Sequence, residues 1–491
     1  MLLLKFIIKT LILLCCCNYA IASNIELSVP DIKIQQEIKS QLLEIALADV
    51  DYHYSKQFIN LQRATNSNSY AKELMKAYFL INNFRNIFYN SSWENIQNNN
   101  YAYKQTIISL KDQEFYEFLL KNPHEFLRSI INLRPRTPNY IKYRQEIFNI
   151  LQNYNKQLTA YKFVVLKPNM NRPEVVLLKK ALKESGYLDP NCPETEFFDI
   201  ELSEGVKLFQ SSNNIKSDGI VGYQTYSLIF KTATQKLVSL ARAILRQGVP
   251  ALLSQNDYVF VNIPETNMYV YKNKNAILYS KVIVGATKRP TPRLNSAINN
   301  VVLNPTWTVP ETIKIHDYLP KLKQDPFYLT KHGVAIVDQN NNVIDPTYID
   351  FSKYHSSFPY RMVQAPGVSN ALGLYKFNFP NSESIYLHST SSPKYFTKAT
   401  RSLSSGCVRV EKSKELAEYL LQNTYYTPEK IAKTIQEGKT KWVRTPTKTP
   451  IFLAYWTAYI TEGNKLLYPT DIYQLDSKSV ISNEIINNWK F

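Results

Sequence analysis

Apolar positions change their period twice along this chain of 491 residues. From 24 to 165 they recur mostly at helical intervals, as at Ile34, Ile38, Leu42 and Ile45 and again at Phe115, Phe118 and Leu119. That spacing predicts a helical scaffold, and no constellation of reactive side chains interrupts it. Between 172 and 230 three short amphipathic helices are expected. The first carries Val175, Leu178 and Leu182 and stops at Gly186-Tyr187; the second carries Leu202, Val206 and Phe209 and ends in Phe209-Gln210. The turn-rich Asp218-Gly219-Ile220-Val221-Gly222 then leads into a third helix through Leu228. A linker helix over 231–254, with Leu237, Leu240, Ile244 and Leu245, ends near Gly248-Val249-Pro250. From Tyr258 the period shortens to that of strands. Tyr258–Ile263 runs up to Pro264, and Met268–Lys272 pairs through the Asn273–Asn275 turn with Ala276–Val284. Val301–Leu303 and Ile451–Ile460 are further strands. The fold class is therefore multidomain: a helical N-terminal scaffold, a three-helix module, and a mainly β domain over 255–475, followed by a C-terminal tail at 476–491.

The first 22 residues stand apart. Lys5 and Lys9 flank an apolar run through Cys17, and Ala20-Ile21-Ala22 supplies small residues where a signal peptidase reads. A secretory signal cleaved after Ala22 is expected, which places the mature chain in the periplasm; an uncleaved segment would tie it to the membrane. A lipoprotein reading of Cys15, Cys16 and Cys17 is weaker, because cysteine stands where glycine or alanine should precede the lipidated residue. Removing the signal leaves Cys192 and Cys407, which an exported protein often pairs as a disulfide. The surroundings of Cys407 argue instead for a free thiol. The net charge of +18 suits attraction to anionic wall polymers or lipids, and a solvated lysine-rich surface accounts for it equally well. No arginine–aromatic motif points to nucleic acid.

Chemistry converges late in the chain. Ser404-Ser405-Gly406-Cys407-Val408-Arg409-Val410 sets a glycine before a cysteine, a turn that can present the sulfur beside backbone N–H groups able to hold an oxyanion. Ile385-Tyr386-Leu387-His388 is a short strand delivering a histidine nineteen positions earlier. A thiol is mostly protonated at neutral pH, so acyl transfer through Cys407 needs a base, for which His388 is the candidate. Ser389 can orient its imidazole through the backbone carbonyl. Ser405 and Gly406 belong to the oxyanion segment. Arg409 suits a substrate carboxylate or an internal salt bridge, and Trp307 and Tyr386 either line the cleft or pack in the core. His53, His124, His316, His332 and His355 lack such context, and no metal-ligand spacing joins the histidines to the cysteines.

His388, the nineteen-residue interval and SSGCVRV together resemble the active-site signature of the L,D-transpeptidases. Ser405 stands where most of that family has histidine, at a position expected to act through its amide. The resemblance covers roughly 255–475. It includes Val261-Asn262-Ile263-Pro264, Gly285 with Thr291-Pro292, Asn304-Pro305-Thr306-Trp307, Gln364-Ala365-Pro366-Gly367, Asn370-Ala371-Leu372-Gly373 and Lys376-Phe377. The stretch 172–230, with Phe209-Gln210 and DGIVG, resembles a peptidoglycan-binding-like domain with a lengthened loop around Cys192. Together with the helical region these features look like the large Gram-negative branch of the family. There a capping subdomain is inserted before the histidine strand, here about 313–365, where Pro320, Pro326, His332 and Pro359 suit a lid more than a sheet.

The resemblance implies that Cys407 attacks a tetrapeptide stem at its third residue and that D-alanine leaves with a proton from His388. The side-chain amine of a second stem then resolves the acyl-enzyme as a 3-3 cross-link. It implies no metal or organic cofactor, peptidoglycan stems as donor and acceptor, other wall synthases as partners, and acylation by carbapenems. Two alternatives stay open: an L,D-carboxypeptidase or a hydrolase of wall–lipoprotein links with the same residues, and a non-catalytic wall-binding protein. A papain-like protease is disfavoured, since there the cysteine precedes its histidine and opens a helix.

Overall fold

The computed structural model describes residues 27–98, 106, 108–153, 162–213, 215–398, 400–476, 483–487 and 489. The expected signal at 1–22 lies outside the described residues, as does most of the tail. Among the described residues no helix is long and apolar enough to cross a membrane.

The described chain divides into two compact units, one holding 27–91, 106, 108–136, 483–487 and 489, the other 92–98 and 137–476. The first is helical, with helices Ile32–Leu47, Tyr52–Arg63, Ser67–Tyr89, Leu110–Lys121 and Pro123–Asn132. Asp31, Asp51 and Asn66 cap three of them, and Ser109 with Asp112 forms a capping box on the fourth. Edge-to-face contacts of Tyr78 and Tyr116 with Phe126 fill its core, a use for the tyrosine-rich composition. Arg134 grips Glu37 with two hydrogen bonds of 2.9 and 2.7 Å.

The helical stretch 24–165 is thus not one body. Helices Trp93–Asn98 and Tyr140–Gln152 go with the second unit. There Gln97 donates to the Arg246 carbonyl at 3.1 Å and the Tyr143 hydroxyl reaches Gln247 at 2.9 Å. Local periodicity marks such helices without saying what they pack on.

The three-helix module has helices Glu174–Glu184, Ile200–Ser212 and Tyr223–Ile229. Its sequence signature has a physical basis. Gln210 is buried and donates to Asp218 Oδ1, the Ile220 carbonyl and Thr225 Oγ1, while its own carbonyl accepts from Gly219 N at 2.9 Å. Gly219 has φ +72, and a Cβ there would lie 2.6 Å from Ser203 Oγ. The longer loop around Cys192 is pinned by Lys179, whose buried ammonium donates to Pro193 O, Thr195 Oγ1 and Asp199 Oδ2. Cys192 is buried and free, and so is not disulfide-bonded to Cys407.

The β domain consists of β1 (Tyr258–Asn262), β2 (Asn267–Lys272), β3 (Asn275–Gly285), β4 (Leu294–Leu303), β5 (Trp307–Thr308), β6 (Val334–Val337), β7 (Arg361–Gln364), β8 (Tyr375–Asn378), β9 (Leu387–His388), β10 (Ser402–Ser404), β11 (Val408–Val410) and β12 (Lys441–Ala454). The main sheet runs β10-β3-β11-β9-β8-β4-β12-β1-β2, and β2 also pairs with β3. That last pairing closes eight strands into a ring around a core of Val261, Val284, Phe377, Leu387, Val408 and Leu453. The β2–β3 hairpin turns on Asn273 and Lys274, both with φ above zero, the geometry a two-residue turn demands.

Residues between Trp307 and Leu372 build a lobe with its own hydrophobic core. It contains the three-stranded sheet β5-β7-β6, where the prolines had suggested a lid without one. Alternation supplies the reason: Val334, Ile336 and Met362 point inward from strands only four residues long.

Candidate active site

β9 and β11 lie side by side and parallel, with His388 opposite Arg409 and Leu387 opposite Val408. Because side chains alternate, Tyr386 and His388 share a face with Cys407 and Arg409. All four line one cavity of about 600 Å³, with Trp307 and Tyr318 of the inserted lobe on the other wall. Lys376 faces His388 across the β8–β9 pair and lies 4.0 Å from the Tyr386 ring centre. The sequence interval of nineteen therefore becomes a diagonal between neighbouring strands.

The loop before Cys407 is held from several sides. Gly406 has φ +117, in the left-handed region that favours glycine. Ser404 Oγ donates to the Cys407 carbonyl at 2.5 Å and accepts from Gly406 N at 3.2 Å. Thr291 Oγ1 donates to the Gly406 carbonyl at 2.7 Å and accepts from Gly285 N at 2.8 Å. The Tyr473 hydroxyl accepts from Thr291 N and donates to the Gly285 carbonyl. A Cβ on Gly285 would sit 2.2 Å from the Arg289 carbonyl, so this glycine is required by close backbone approach. One expectation is corrected here: the Gly406 N–H is already taken by Ser404. Among the described residues the Cys407 N–H finds no hydrogen-bond acceptor, and it is the amide left for an oxyanion.

His388 is only 5% exposed. Burial, helped by the neighbouring positive charge of Arg409, pushes its imidazole down to about 3. The ring is therefore neutral at working pH. The Ser389 and Leu372 carbonyls lie near it and oppose the shift, although neither makes a well-formed hydrogen bond with the buried Nδ1. Nδ1 is buried without a partner while the residue lines the cavity, so Nε2 is the nitrogen that a base role for His388 would use. The Ser389 hydroxyl, in turn, donates to the Leu372 carbonyl at 3.0 Å.

Burial pushes the Cys407 thiol up, and hydrogen bonding from Tyr386 with the charges of Lys376 and Arg409 offsets part of the rise. Sγ lies 3.9 Å from the Ser384 carbonyl oxygen, and no hydrogen bond joins it to His388. The Tyr386 phenol is pushed up by burial and by the adjacent sulfur, so it stays protonated and able to donate to a thiolate. Among the described residues Arg409 forms no ion pair, and its Nε is buried without a partner. The salt-bridge alternative therefore drops away. Trp307 does both things expected of it, packing in the lobe core and lining the cavity. Among the described residues no group of three His, Cys, Asp or Glu side chains is placed to hold a metal ion.

No local pattern marks Arg289, whose guanidinium makes two 2.6 Å hydrogen bonds to Asp317 and a third, 3.1 Å, to Ser405 Oγ. Asp317 sits on a π-helical turn of the lobe, Lys314–Tyr318, so the pair latches lobe to catalytic loop. His316 on the same turn lines an adjacent cavity. Both latch side chains are about a third exposed, which limits the pair to about 0.5–1 kcal/mol. Asp317→Ala is expected to speed amide hydrogen exchange across 311–322 roughly 2–5-fold, with β1 and β12 unchanged. Unchanged exchange in the lobe would show that its apolar core alone holds it.

The fold and the site together define a barrel that sets a free thiol and a neutral imidazole in one cleft. Residues 256–451 match the family model described as "L,D-transpeptidase catalytic domain", and 171–229 match "Putative peptidoglycan binding domain". A curated protein of Haemophilus influenzae named "Putative L,D-transpeptidase" is 40% identical over 253 residues, covering 52% of this chain and 51% of that protein. The chain thus spans about half the length of the curated relative it matches. Among solved structures, an L,D-transpeptidase from Stackebrandtia nassauensis overlaps 60% of this chain and 96% of its own at 12% identity, with a TM-score of 0.23. One from Xylanimonas cellulosilytica overlaps 60% and 100% at 12% identity, with a TM-score of 0.19.

Proposed function

We propose that the chain is a peptidoglycan L,D-transpeptidase working through a cysteine acyl-enzyme, exported to the periplasm by its first 22 residues. The observation that carries this reading is the shared face of β9 and β11, which turns Cys407 and a neutral His388 into one cavity. In acylation, Sγ gives its proton to His388 Nε2 and attacks the carbonyl carbon of the third stem residue. The oxyanion is held by the Cys407 N–H, and the Tyr386 hydroxyl steadies the sulfur. The C–N bond to D-alanine breaks, and the departing amine takes the proton from His388. An amine of a second stem then attacks the thioester, its proton passes through His388 to sulfur, and a 3-3 cross-link forms. Arg409, with no ion-pair partner among the described residues, is the group for a substrate carboxylate. Trp307 walls the donor side.

The test is mass spectrometry of disaccharide-tetrapeptide incubated with the protein and with Cys407→Ala. A dimer lighter than two substrates by one D-alanine, absent with the variant, is expected, together with a carbapenem adduct on Cys407. Tripeptide alone would mark an L,D-carboxypeptidase. No product and no adduct would leave a wall-binding protein.

A further inference from the structure

One charge beside the cleft has no part in the acylation steps, the ammonium of Lys376. Strand β8 sets it opposite His388 across an antiparallel pair, so its side chain stands on the face that carries Tyr386 and His388. Its Nζ lies 4.0 Å from the centre of the Tyr386 ring, whose hydroxyl bonds to Cys407. Among the described residues this half-buried ammonium makes no ion pair or hydrogen bond. Surface lysines of the chain also stack on tyrosines, but in water: Lys430 lies 5.2 Å from the ring of Tyr425, a residue 76% exposed. At Lys376 burial holds the ammonium below the usual lysine range, so the cation meets the ring with little water to screen it. Lys376 is not part of the cavity lining, whereas Tyr386 and Cys407 are. Other charges approach the sulfur from each packed element: Arg409 from β11 and Glu383 from the turn before β9, with neutral His388 on β9 itself. On the lobe wall the charged groups are engaged elsewhere. Glu311 is 2.7 Å from Lys314, Asp317 is held by Arg289, and Lys321 is 2.9 Å from the Tyr328 hydroxyl.

We propose that Lys376 is a positioning residue for the thiolate, a cation that works through the Tyr386 phenol to hold negative charge on Cys407 Sγ as the sulfur gives up its proton. The inference rests on the cysteine acyl-enzyme reading above and assigns the source of the thiol's activation. A cation against the ring draws electron density from the phenol oxygen and makes its O–H a stronger donor to sulfur. The sulfur's proton goes to His388 Nε2 in base-assisted attack, or to solvent hydroxide where the thiol ionises first. In both routes the Tyr386 hydroxyl keeps its own hydrogen. Burial and the adjacent sulfur push the phenol far up, so the cation strengthens its hydrogen bond without stripping its proton. Hydrogen bonding by Tyr386 offsets the burial of the thiol more than the direct field of Lys376 or Arg409 does, which favours the route through the ring. The same charge opposes an imidazolium at His388. Lys376 therefore favours a thiolate beside a neutral histidine over a thiolate–imidazolium pair.

The experiment follows alkylation of Cys407 by iodoacetamide against pH in the full chain, read at that cysteine by peptide mass spectrometry. Wild type is compared with Lys376→Met, Lys376→Arg, Tyr386→Phe and the Lys376→Met, Tyr386→Phe double variant. Methionine keeps the aliphatic stem and removes only the charge, and a matching melting temperature checks that the fold is kept. Lys376→Met should alkylate about 5–30-fold more slowly at pH 7, with the alkaline limb displaced upward by about 0.7–1.5 pH units. Lys376→Arg, which keeps a cation on the ring, should recover most of the rate. In the Tyr386→Phe background the loss of Lys376 should cost no more than about 2-fold, the signature of an effect carried by the hydroxyl. An alkaline limb unmoved in Lys376→Met, no recovery with arginine, or an equal cost in the Tyr386 and Phe backgrounds overturns the assignment. So does a new acid limb with the alkaline limb unmoved, which would place the action of the charge on His388. Release of D-alanine from disaccharide-tetrapeptide is followed in parallel. A wild type that alkylates as expected yet releases no D-alanine overturns the acyl-enzyme reading itself, a distinct result.

Discussion

His388→Gln is expected to slow acylation of Cys407 by about 10²–10⁴-fold, the range for loss of a positioned general base, while leaving the fold intact. The pH dependence should be equally telling. With the imidazole pushed down to about 3 and the thiol pushed up, the resting pair is neutral on both sides. Wild-type acylation by a carbapenem should then be flat between pH 5 and 8 and rise above that as the thiol ionises. A bell with an acid limb near 6 would mean a thiolate–imidazolium pair and would defeat the neutral-pair account. Stability supplies an independent readout. The folded histidine titrates near 3 and the unfolded one near 6.5, so as pH falls below 6.5 only the unfolded chain gains the proton. Wild type therefore loses stability from pH 6.5 downward, by at most about 1.4 kcal/mol per pH unit, until the folded group titrates. His388→Gln should lose about 2–3 kcal/mol less than wild type between pH 6.5 and 4.5.

How much of this was legible depended on sequence distance. The three-helix module could be read because its signature is one hydrogen-bonded knot of Gln210 with Asp218, Gly219 and Ile220, all within ten residues of it. The β2–β3 hairpin was legible for the same reason, its turn residues being adjacent. His388 and Cys407 were found because they stand close to one matched motif. The ring closure was not legible, since alternation names a strand but not its neighbour, and β3 pairs with three others. Strand β12 was placed too late, at Ile451–Ile460. The part before Ile451, with Lys441, Arg444, Thr445, Pro446 and Pro450, reads as polar loop, but the strand runs from Lys441 to Ala454 with a register shift after Arg444. Arg289 and Asp317 carry no local pattern at all; their meaning comes only from the contact they make with each other.

Asp476→Ala is expected to destabilise the second unit by about 3–5 kcal/mol, the cost of removing one partner from a buried ion-pair network. The residue stands where the β domain was expected to give way to a tail, yet it is 5% exposed. Arg242 Nη1 donates to Oδ1 at 2.8 Å, Arg246 Nη2 donates to Oδ1 at 2.9 Å, and Thr457 Oγ1 donates to Oδ2. Burial alone would push this carboxyl up, but Arg246 and Arg242 outweigh it and hold it well below the usual carboxylate range. Its stabilising contribution is thus present above about pH 4 and lost as pH falls further. The alanine variant takes the shared carboxylate away from two buried guanidiniums, and the melting transition of this unit should drop by roughly 5–15 °C. Replacing Arg242, Arg246 and Asp476 together with apolar residues should recover much of that loss, because the penalty belongs to buried charge deprived of the Asp476 carboxylate. The effect should also reach the cleft. Arg246 donates to the Tyr455 carbonyl, the Tyr455 hydroxyl accepts from Tyr473 N, and the Tyr473 hydroxyl braces Thr291, which holds the Gly406 carbonyl. At a temperature where Asp476→Ala remains folded, carbapenem acylation of Cys407 should therefore be slower than in wild type. Full acylation rate in a folded but destabilised variant would show that Tyr473 and Thr291 hold the loop without help from the ion pair behind them.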